Sequence, residues 1–203
     1  MYSFFAAISR MKYIERWALM RSSRPENLSE HALEVATIAH ALCTIGNVRY
    51  GRQLDADRAA MLGLYHDAAE IITGDMPTPV KYHSRDIRDA YQVVEEAAAK
   101  RLLILLSEDL REAYRDILLP ESNERTAWEE AEGAYMRRLV KAADKLSALI
   151  KCIEEENAGN GEFRTAKRTI QEAVDGMAVE MPEVRDFCAD FLPAYGSTLD
   201  ELL

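Results

Sequence analysis

A histidine and two carboxylates lie within five consecutive residues of this chain, as His66, Asp67 and Glu70. If residues 65–70 are helical, at about 100° per residue, these three side chains fall within an arc of roughly 100°. Such a group can bind a divalent cation and leave one carboxylate for proton transfer. Acidic residues are common in the chain, however, and the same residues are equally well explained by a solvated helix face. The choice depends on whether other elements supply further ligands.

Two other predicted helices carry polar residues at or beside an apolar face. Residues 29–45 have an apolar stripe with spacings of three and four, and extending it back by one turn reaches His31. Residues 134–156 have a similar stripe with Asp144 beside it, and a buried carboxylate needs a partner because burying a bare charge is costly. A single inward histidine is more often a core residue than a ligand. His40 lies on the opposite helix face from His31 and is interpreted as structural.

The composition predicts one mostly helical domain. The chain has 203 residues, of which 48% are hydrophobic and few are Gly or Pro, so we expect a single core spanning residues 1–203. The formal net charge of −10 argues against binding to a nucleic-acid backbone but allows a small phosphorylated substrate. There is no cleavable signal and no apolar run of about 18 residues, so a cytoplasmic protein with no membrane partner is expected.

Periodic apolar residues and turn signals predict an all-α fold, because no segment alternates in the manner of a strand. A segment with Asp75, Pro77 and Pro79 follows Gly74, and it is expected to be extended and to form a wall beside the site. Residues 120–132 are polar and acidic and are interpreted as a loop or a loosely attached helix start. The predicted helices are 4–19, 29–45, 56–72, 84–106, 109–118, 134–156, 164–178 and 182–193.

Taken together, His31, His66, Asp67 and Asp144 form a plausible ligand set. Two imidazoles and two carboxylates suit Mn²⁺, Co²⁺, Fe²⁺ or Zn²⁺ and leave positions for water or a substrate oxygen. The order of these residues resembles the HD-domain superfamily of metal-dependent phosphohydrolases. That resemblance implies a single HD-type helical bundle with the metal site between core helices.

Further motifs resemble one branch of this superfamily, the HD-domain 5′-deoxynucleotidases (YfbR-like). They cover essentially the whole chain in the same order. The resemblance implies hydrolysis of deoxyribonucleoside 5′-monophosphates to deoxynucleoside and phosphate. It also implies one divalent cation, first Co²⁺ or Mn²⁺ and otherwise Zn²⁺, Fe²⁺ or Mg²⁺, and a homodimer. The motifs are Arg16-Trp17, NLSEH at 27–31, YHDAAE at 65–70, GDMPTPVKY at 74–82 and KAAD at 141–144.

The resemblance also implies roles for residues that do not bind the metal. Glu70 would be the carboxylate that handles the proton, because the metal does not need it as a ligand. Arg16 would orient the phosphate, a task that suits its planar donors. Trp17 would pack where a ribose 2′-hydroxyl would otherwise lie. His31 and Asp67 are also expected to contact the substrate.

The remaining implied contacts lie after the helix that carries His66. Asp75 would accept a hydrogen bond from the sugar 3′-hydroxyl, and Met76, Pro77 and Thr78 would line the nucleoside pocket. Lys81 would add positive potential nearby.

Two alternatives remain open. One is an HD phosphohydrolase that acts on a different nucleotide. Alarmone hydrolases usually carry HDxxED, whereas Ile71 follows Glu70 here, and a two-metal phosphodiesterase would need more histidines than His40 and His83 supply. The other alternative is a non-catalytic nucleotide sensor that keeps the fold, and the complete ligand set with Glu70 argues against it.

Overall fold

The computed structural model describes residues 1–81, 83–119 and 127–203. Across these ranges the chain is helical and forms no β-sheet, so the all-α prediction is confirmed. The described residues group into two compact units. The first comprises the described parts of Met1–Leu19, Pro25–Ala32 and Leu64–Glu124, and the second those of Met20–Arg24, Leu33–Gly63 and Arg125–Leu203. The single-domain assignment stays a prediction.

The connections between the helices vary in length, and a long one joins Ile8 of the first helix to Leu28 of the second. Short 3-10 turns at Ser9–Tyr13, Glu108–Leu110, Gly161–Phe163 and Leu192–Gly196 separate several of them. No helix of the described ranges is both long enough and apolar enough to span a bilayer. In chain order the helices are α1 (Phe4–Ile8), α2 (Leu28–Tyr50), α3 (Ala56–Tyr65), α4 (Glu70–Thr73), α5 (Thr78–Lys81), α6 (Arg85–Ile104), α7 (Arg111–Leu118), α8 (Ala127–Asn157), α9 (Arg164–Glu180), α10 (Pro182–Asp190) and α11 (Leu199–Leu202).

The first unit has two small apolar clusters. Phe4 and Ala68 pack with Leu102, Leu103 and Leu106 in one cluster. The Phe4 ring stacks on that of Tyr65 and meets that of Tyr114 edge to face. The other cluster contains Met11, Leu28 and Ala32, with partly buried apolar side chains around it. Because Ala68 is fully buried, the first cluster anchors the turn that carries the polar stretch identified in the sequence.

The second unit has one larger core. Its buried side chains come mainly from α2, α3, α8, α9 and α10, and include Leu42, Leu146, Val174 and Phe187. A network of polar groups surrounds the buried carboxylate of Glu155, which accepts hydrogen bonds from the Lys151 ammonium, the Ser23 backbone N–H and Asn160. Burial alone would raise the pKa of Glu155, but these hydrogen bonds outweigh it and hold the pKa well below its usual range.

The predicted first helix, residues 4–19, is wrong beyond Ile8. A 3-10 turn follows α1, and Glu15 then forms an isolated antiparallel bridge with Asn27. On either side of this bridge, the Arg16 N–H donates to the Glu26 carbonyl and the Leu28 N–H donates to the Ile14 carbonyl, both at 2.9 Å. These long-range bonds satisfy backbone groups that a continued helix would have paired locally.

The predicted helix over residues 56–72 is also wrong, because α3 ends at Tyr65. Residues 66–69 form turns in which the Ala68 N–H donates to the Tyr65 carbonyl and the Glu70 N–H to the Asp67 carbonyl. These are i to i+3 bonds, which are tighter than those of an α-helix. The short helix α4 then begins at Glu70 and ends before Gly74, whose φ of 73° is easily adopted by glycine.

Other boundaries differ by smaller amounts. Residues 75–77 are not helical, as expected, but α5 begins at Thr78, so the predicted extended segment ends early. The helix that carries His31 continues beyond its predicted end to Tyr50. Most of the acidic stretch, residues 120–126, lies outside the described residues, and α8 already includes 127–132. The four other predicted helices correspond to α6, α7, α9 and α10.

Gly63 allows close packing of α3 against α2 within the second unit. A Cβ at this position would lie 2.9 Å from the Ala36 Cα and 3.0 Å from its backbone nitrogen, which is too close. We therefore expect Gly63→Ala to lower the free energy of unfolding by about 1–3 kcal/mol, in spite of the higher helix propensity of alanine. Urea unfolding followed by circular dichroism measures this change.

Gly176→Ala is the matched control, because a Cβ there would meet no atom within 4 Å. Gly176 lies inside α9, so this substitution should raise the free energy of unfolding by about 0.5–1 kcal/mol. Equal effects of the two substitutions would contradict the close packing at Gly63.

Candidate active site

Three of the predicted ligands lie together in the first unit. The Asp67 Oδ2 is 2.9 Å from the His66 Nε2 and 3.6 Å from the His31 Nε2. One ligand atom from each residue lies within 4.8 Å of those from the other two. His31 comes from the first turn of α2 and is fully buried, whereas His66 and Asp67 come from the turn after α3. The structure thus brings together residues that are 35 positions apart in the sequence.

This donor set fits a divalent cation. Nitrogen and oxygen ligands bind such metals at about 2.0–2.2 Å, so two ligands of one ion can be at most about 4.4 Å apart. The two distances from Asp67 to the imidazoles satisfy this limit. Imidazole nitrogens with a carboxylate oxygen suit Zn²⁺, Co²⁺, Mn²⁺ and Fe²⁺ better than Ca²⁺, which prefers oxygen ligands alone.

The fourth predicted ligand, Asp144, belongs to the second unit. It lies on α8, where its Oδ2 is 3.1 Å from the Lys145 Nζ, and its side chain is a quarter exposed. Its role as a metal ligand stays a prediction.

Glu70 is the first residue of α4 and is buried. Burial, followed by the negative charges of Asp67 and Asp75, raises the pKa of Glu70 to about 9, although Arg16 and Lys81 oppose this shift. Within the described residues its Oε2 has no hydrogen-bond partner. Without a metal, Glu70 is therefore protonated at neutral pH and can act as a proton donor.

Arg16 and Trp17 meet a carboxylate that the sequence analysis did not identify. The Arg16 guanidinium donates to both oxygens of Glu26, at 3.3 and 3.4 Å. The Trp17 Nε1 donates to the Glu26 Oε2 at 2.7 Å, and the His31 Nδ1 is 3.8 Å from the Glu26 Oε1. No sequence signal marks Glu26, because its partners depend on a backbone pairing that apolar periodicity does not predict.

Asp75 lies near the same group of residues. Its carboxylate accepts a hydrogen bond from the backbone N–H of Trp17. Burial is the largest influence on Asp75 and raises its pKa, and the charge of Asp67 also raises it, while Arg16, His31 and the bond from Trp17 act in the opposite direction. The predicted sugar-binding residue is thus in contact with the predicted sugar-selecting residue.

The other predicted substrate contacts follow Asp75 directly. Met76 and Pro77 are half-buried, and Thr78 begins α5. The Lys81 ammonium lies 2.8 Å from the Glu95 carboxylate of α6, so part of its charge is neutralised there. The Tyr91 hydroxyl oxygen lies 3.2 Å from Thr73 Oγ1 and 3.3 Å from the Gly74 carbonyl oxygen, and these hydrogen bonds connect α6 to the end of α4.

Sequence comparisons find similar proteins that match nearly the whole chain. A family model described as 5′-deoxynucleotidase YfbR-like matches residues 3–195. The 5′-deoxynucleotidases YfbR of Salmonella paratyphi B and Salmonella newport are each 43% identical over 199 residues, which is 98% of this chain and 94% of each relative.

Solved structures show the same fold at lower identity. An HD-domain phosphohydrolase from Listeria innocua superposes with a TM-score of 0.76 at 24% identity, covering 95% of this chain and 88% of that one. The cyanophage S-2L HD phosphohydrolase, bound to dA and one catalytic Zn²⁺ ion, gives a TM-score of 0.61 at 18% identity, covering 94% and 95%. These similarities identify the helical fold as that of HD-domain proteins.

The raised pKa of Glu70 predicts a pH dependence of stability in the metal-free protein. The ordinary pKa of a glutamate is 4.5, so between pH 4.5 and about 9 the folded protein binds more protons than the unfolded chain. The free energy of unfolding should therefore fall as pH rises through this range, and Glu70→Gln should remove that component. Urea unfolding at several pH values, with a chelator present, measures it. If the free energies of unfolding of the wild type and of Glu70→Gln change with pH in parallel, the raised pKa of Glu70 is contradicted.

Proposed function

The chain belongs to the YfbR-like family of HD-domain 5′-deoxynucleotidases, and from this we propose how its own residues carry out the reaction. It is a metal-dependent phosphohydrolase that converts deoxyribonucleoside 5′-monophosphates to deoxynucleoside and phosphate. One observation supports our assignment of residues. His31, His66 and Asp67 lie close together, in the same unit as Glu70, which is buried and has a raised pKa.

His31, His66, Asp67 and Asp144 would hold the cation. When bound, a divalent cation acidifies water and polarises a phosphate oxygen. We propose Co²⁺ or Mn²⁺ first, with Zn²⁺, Fe²⁺ and Mg²⁺ as further choices. The imidazole donors support the transition metals over Mg²⁺. The catalytic Zn²⁺ in the cyanophage S-2L enzyme is consistent with a single divalent ion on this fold.

The phosphate and the leaving group would be handled by Arg16 and Glu70. A guanidinium has five N–H donors in one plane, a geometry suited to binding phosphate oxygens in a bidentate manner. Water would attack the phosphorus as the bond to the 5′-oxygen breaks, and Glu70 would handle the proton that passes from the water to that oxygen, since an alkoxide is a poor leaving group without one. His31 and Asp67 would lie close to the phosphate as well, because they carry the cation that it approaches.

The nucleoside would be held by residues on both sides of Asp75. The Trp17 ring would occupy the space of a 2′-hydroxyl, and the Asp75 carboxylate would accept a hydrogen bond from the 3′-hydroxyl. The hydrogen bond between the Trp17 backbone and Asp75 supports this pairing of roles. Met76, Pro77 and Thr78 would contact the base and the sugar.

We also propose that the enzyme is a cytoplasmic homodimer that does not bind nucleic acid. The formal net charge of −10 supports a small substrate over a nucleic-acid backbone. Exposed apolar side chains after Gly161, including Val179, Phe191 and Leu199, support a surface that a second copy of the chain would cover.

Phosphate release from a panel of deoxynucleoside and nucleoside 5′-monophosphates, each with Co²⁺, Mn²⁺, Zn²⁺ or Mg²⁺, tests the assignment. We expect release from dAMP, and we expect Glu70→Ala to lower kcat by at least about a hundredfold because it removes the proton donor. Calorimetry should show that the variant still binds metal and nucleotide.

Near-normal turnover by Glu70→Ala would remove Glu70 from its role. Wild-type protein that binds metal and dAMP but releases no phosphate would instead indicate a nucleotide sensor.

The steric account of sugar selection predicts that Trp17→Ala hydrolyses AMP better relative to dAMP. Removal of the ring opens the space that a 2′-hydroxyl needs, so the ratio of kcat/KM for dAMP to that for AMP should fall roughly tenfold or more, as expected for contacts worth about 1.4 kcal/mol. Trp17→Phe is the matched control, because it keeps a ring but lacks the Nε1 donor. A ratio that Trp17→Ala leaves unchanged would rule out the steric account.

A further inference from the structure

The Glu26 carboxylate contacts three residues with different expected tasks. It accepts hydrogen bonds from the Arg16 guanidinium and from the Trp17 indole, and it lies 3.8 Å from the His31 imidazole. In the function proposed above these three residues serve the phosphate, the sugar and the metal. Arg16 and Trp17 both present N–H donors to Glu26, so a group that accepts hydrogen bonds is required beside them.

This arrangement differs from an ordinary surface ion pair. The side chains of Arg16 and Glu26 are only 13% and 12% exposed, so solvent screens their attraction less than it would at the surface. Both oxygens of Glu26 are engaged, one mainly by Trp17 and the other facing His31. A fixed, shielded carboxylate with several donors is suited to hold those donors in one geometry.

We infer that Glu26 is a positioning residue that couples sugar selection to metal binding. It acts by fixing Arg16, Trp17 and the imidazole of His31, and it does not itself touch the substrate. This inference rests on the proposed roles of these three residues.

The position of His31 favours one tautomer. Its Nδ1 faces the Glu26 carboxylate at 3.8 Å, and its Nε2 faces Asp67 at 3.6 Å. A cation held at Nε2, beside Asp67, would leave the proton on Nδ1, where the Glu26 carboxylate can orient the ring. Outer carboxylates of this kind orient metal-binding histidines and increase their basicity.

The position of Trp17 requires support from its surroundings. Its φ of 60° is the only positive value of a non-glycine residue in the described ranges, and such a conformation costs about 1–3 kcal/mol. Two contacts oppose this cost: the indole donates to Glu26 at 2.7 Å, and the backbone N–H donates to Asp75. Since the Glu26 carbonyl also accepts the Arg16 N–H, both the main chain and the side chain of Glu26 hold this segment.

Glu26→Gln tests the inference because it keeps the size of the side chain but removes its charge. The amide would also direct an NH₂ group towards neighbours that are themselves donors. We expect the dissociation constant for Mn²⁺, measured by calorimetry, to rise roughly tenfold or more. We also expect the ratio of kcat/KM for dAMP to that for AMP to fall roughly tenfold or more, because the indole is no longer fixed. A purely structural role would lower the melting temperature and leave this ratio unchanged.

Two further variants serve as controls. Glu15→Gln removes one negative charge from an exposed position of the same paired segment, and it should change neither the Mn²⁺ dissociation constant nor the dAMP to AMP ratio. Glu26→Asp retains the charge on a shorter side chain, and it should restore part of both properties. If Glu26→Gln does not fold, Glu26→Asp decides, because its carboxylate is too short to keep all three contacts, and values that equal those of the wild type overturn the inference.

The outcomes separate the inference from the proposed function. Unchanged metal affinity and an unchanged ratio in Glu26→Gln would overturn the positioning role, whatever the wild type hydrolyses. If the wild type releases no phosphate from dAMP, the proposed function fails, but the Mn²⁺ dissociation constants still decide whether Glu26 positions His31.

Discussion

The tight turn at residues 66–69 is the feature on which the candidate site of the first unit depends. Ala68 is fully buried among Phe4 and the leucines of α6, and i to i+3 hydrogen bonds fix the backbone on either side of it. In the sequence, Ala68 follows His66 and Asp67 and precedes Glu70 by two residues. Rotation of the turn would expose Ala68 and move His66 and Asp67 away from His31, so apolar packing maintains the polar geometry.

The same turn concentrates negative charge. Asp67, Glu70 and Asp75 lie close enough for the charge of Asp67 to raise the pKa of both other carboxyls. Arg16 reduces this effect at both positions but does not remove it. Burial of several carboxyls without sufficient positive charge is costly, which is a physical reason why this arrangement suits a cation. In the metal-free protein, burial and the same excess of negative charge keep the proton on Glu70.

The sequence predicted that His31 would lie near His66 and Asp67, but it predicted the wrong local structure for residues 66–69. His31 could be placed on an apolar stripe because α2 is a regular helix in this region. The break after Tyr65 could not be found in this way. Both an α-helix and a succession of i to i+3 turns bring residues three or four apart to one side, so the apolar spacing through His66 is compatible with either. The candidate ligand residues were therefore easier to identify than the backbone that presents them.

Glu26 shows why the contacts around Arg16 and Trp17 could not be predicted from the sequence. It follows Pro25 in a segment that periodicity marks only as a connection, and its partners are determined by the pairing of residues 14–16 with residues 26–28. That pairing replaced a helix which local spacing favoured, because long-range hydrogen bonds and the apolar contacts of Met11 and Leu28 stabilise the alternative. In the arrangement we propose, one carboxylate then serves Arg16, Trp17 and His31 together. Phosphate binding, sugar choice and metal binding would not be independent properties of separate residues, because a change at any one of these partners alters the group that holds the other two.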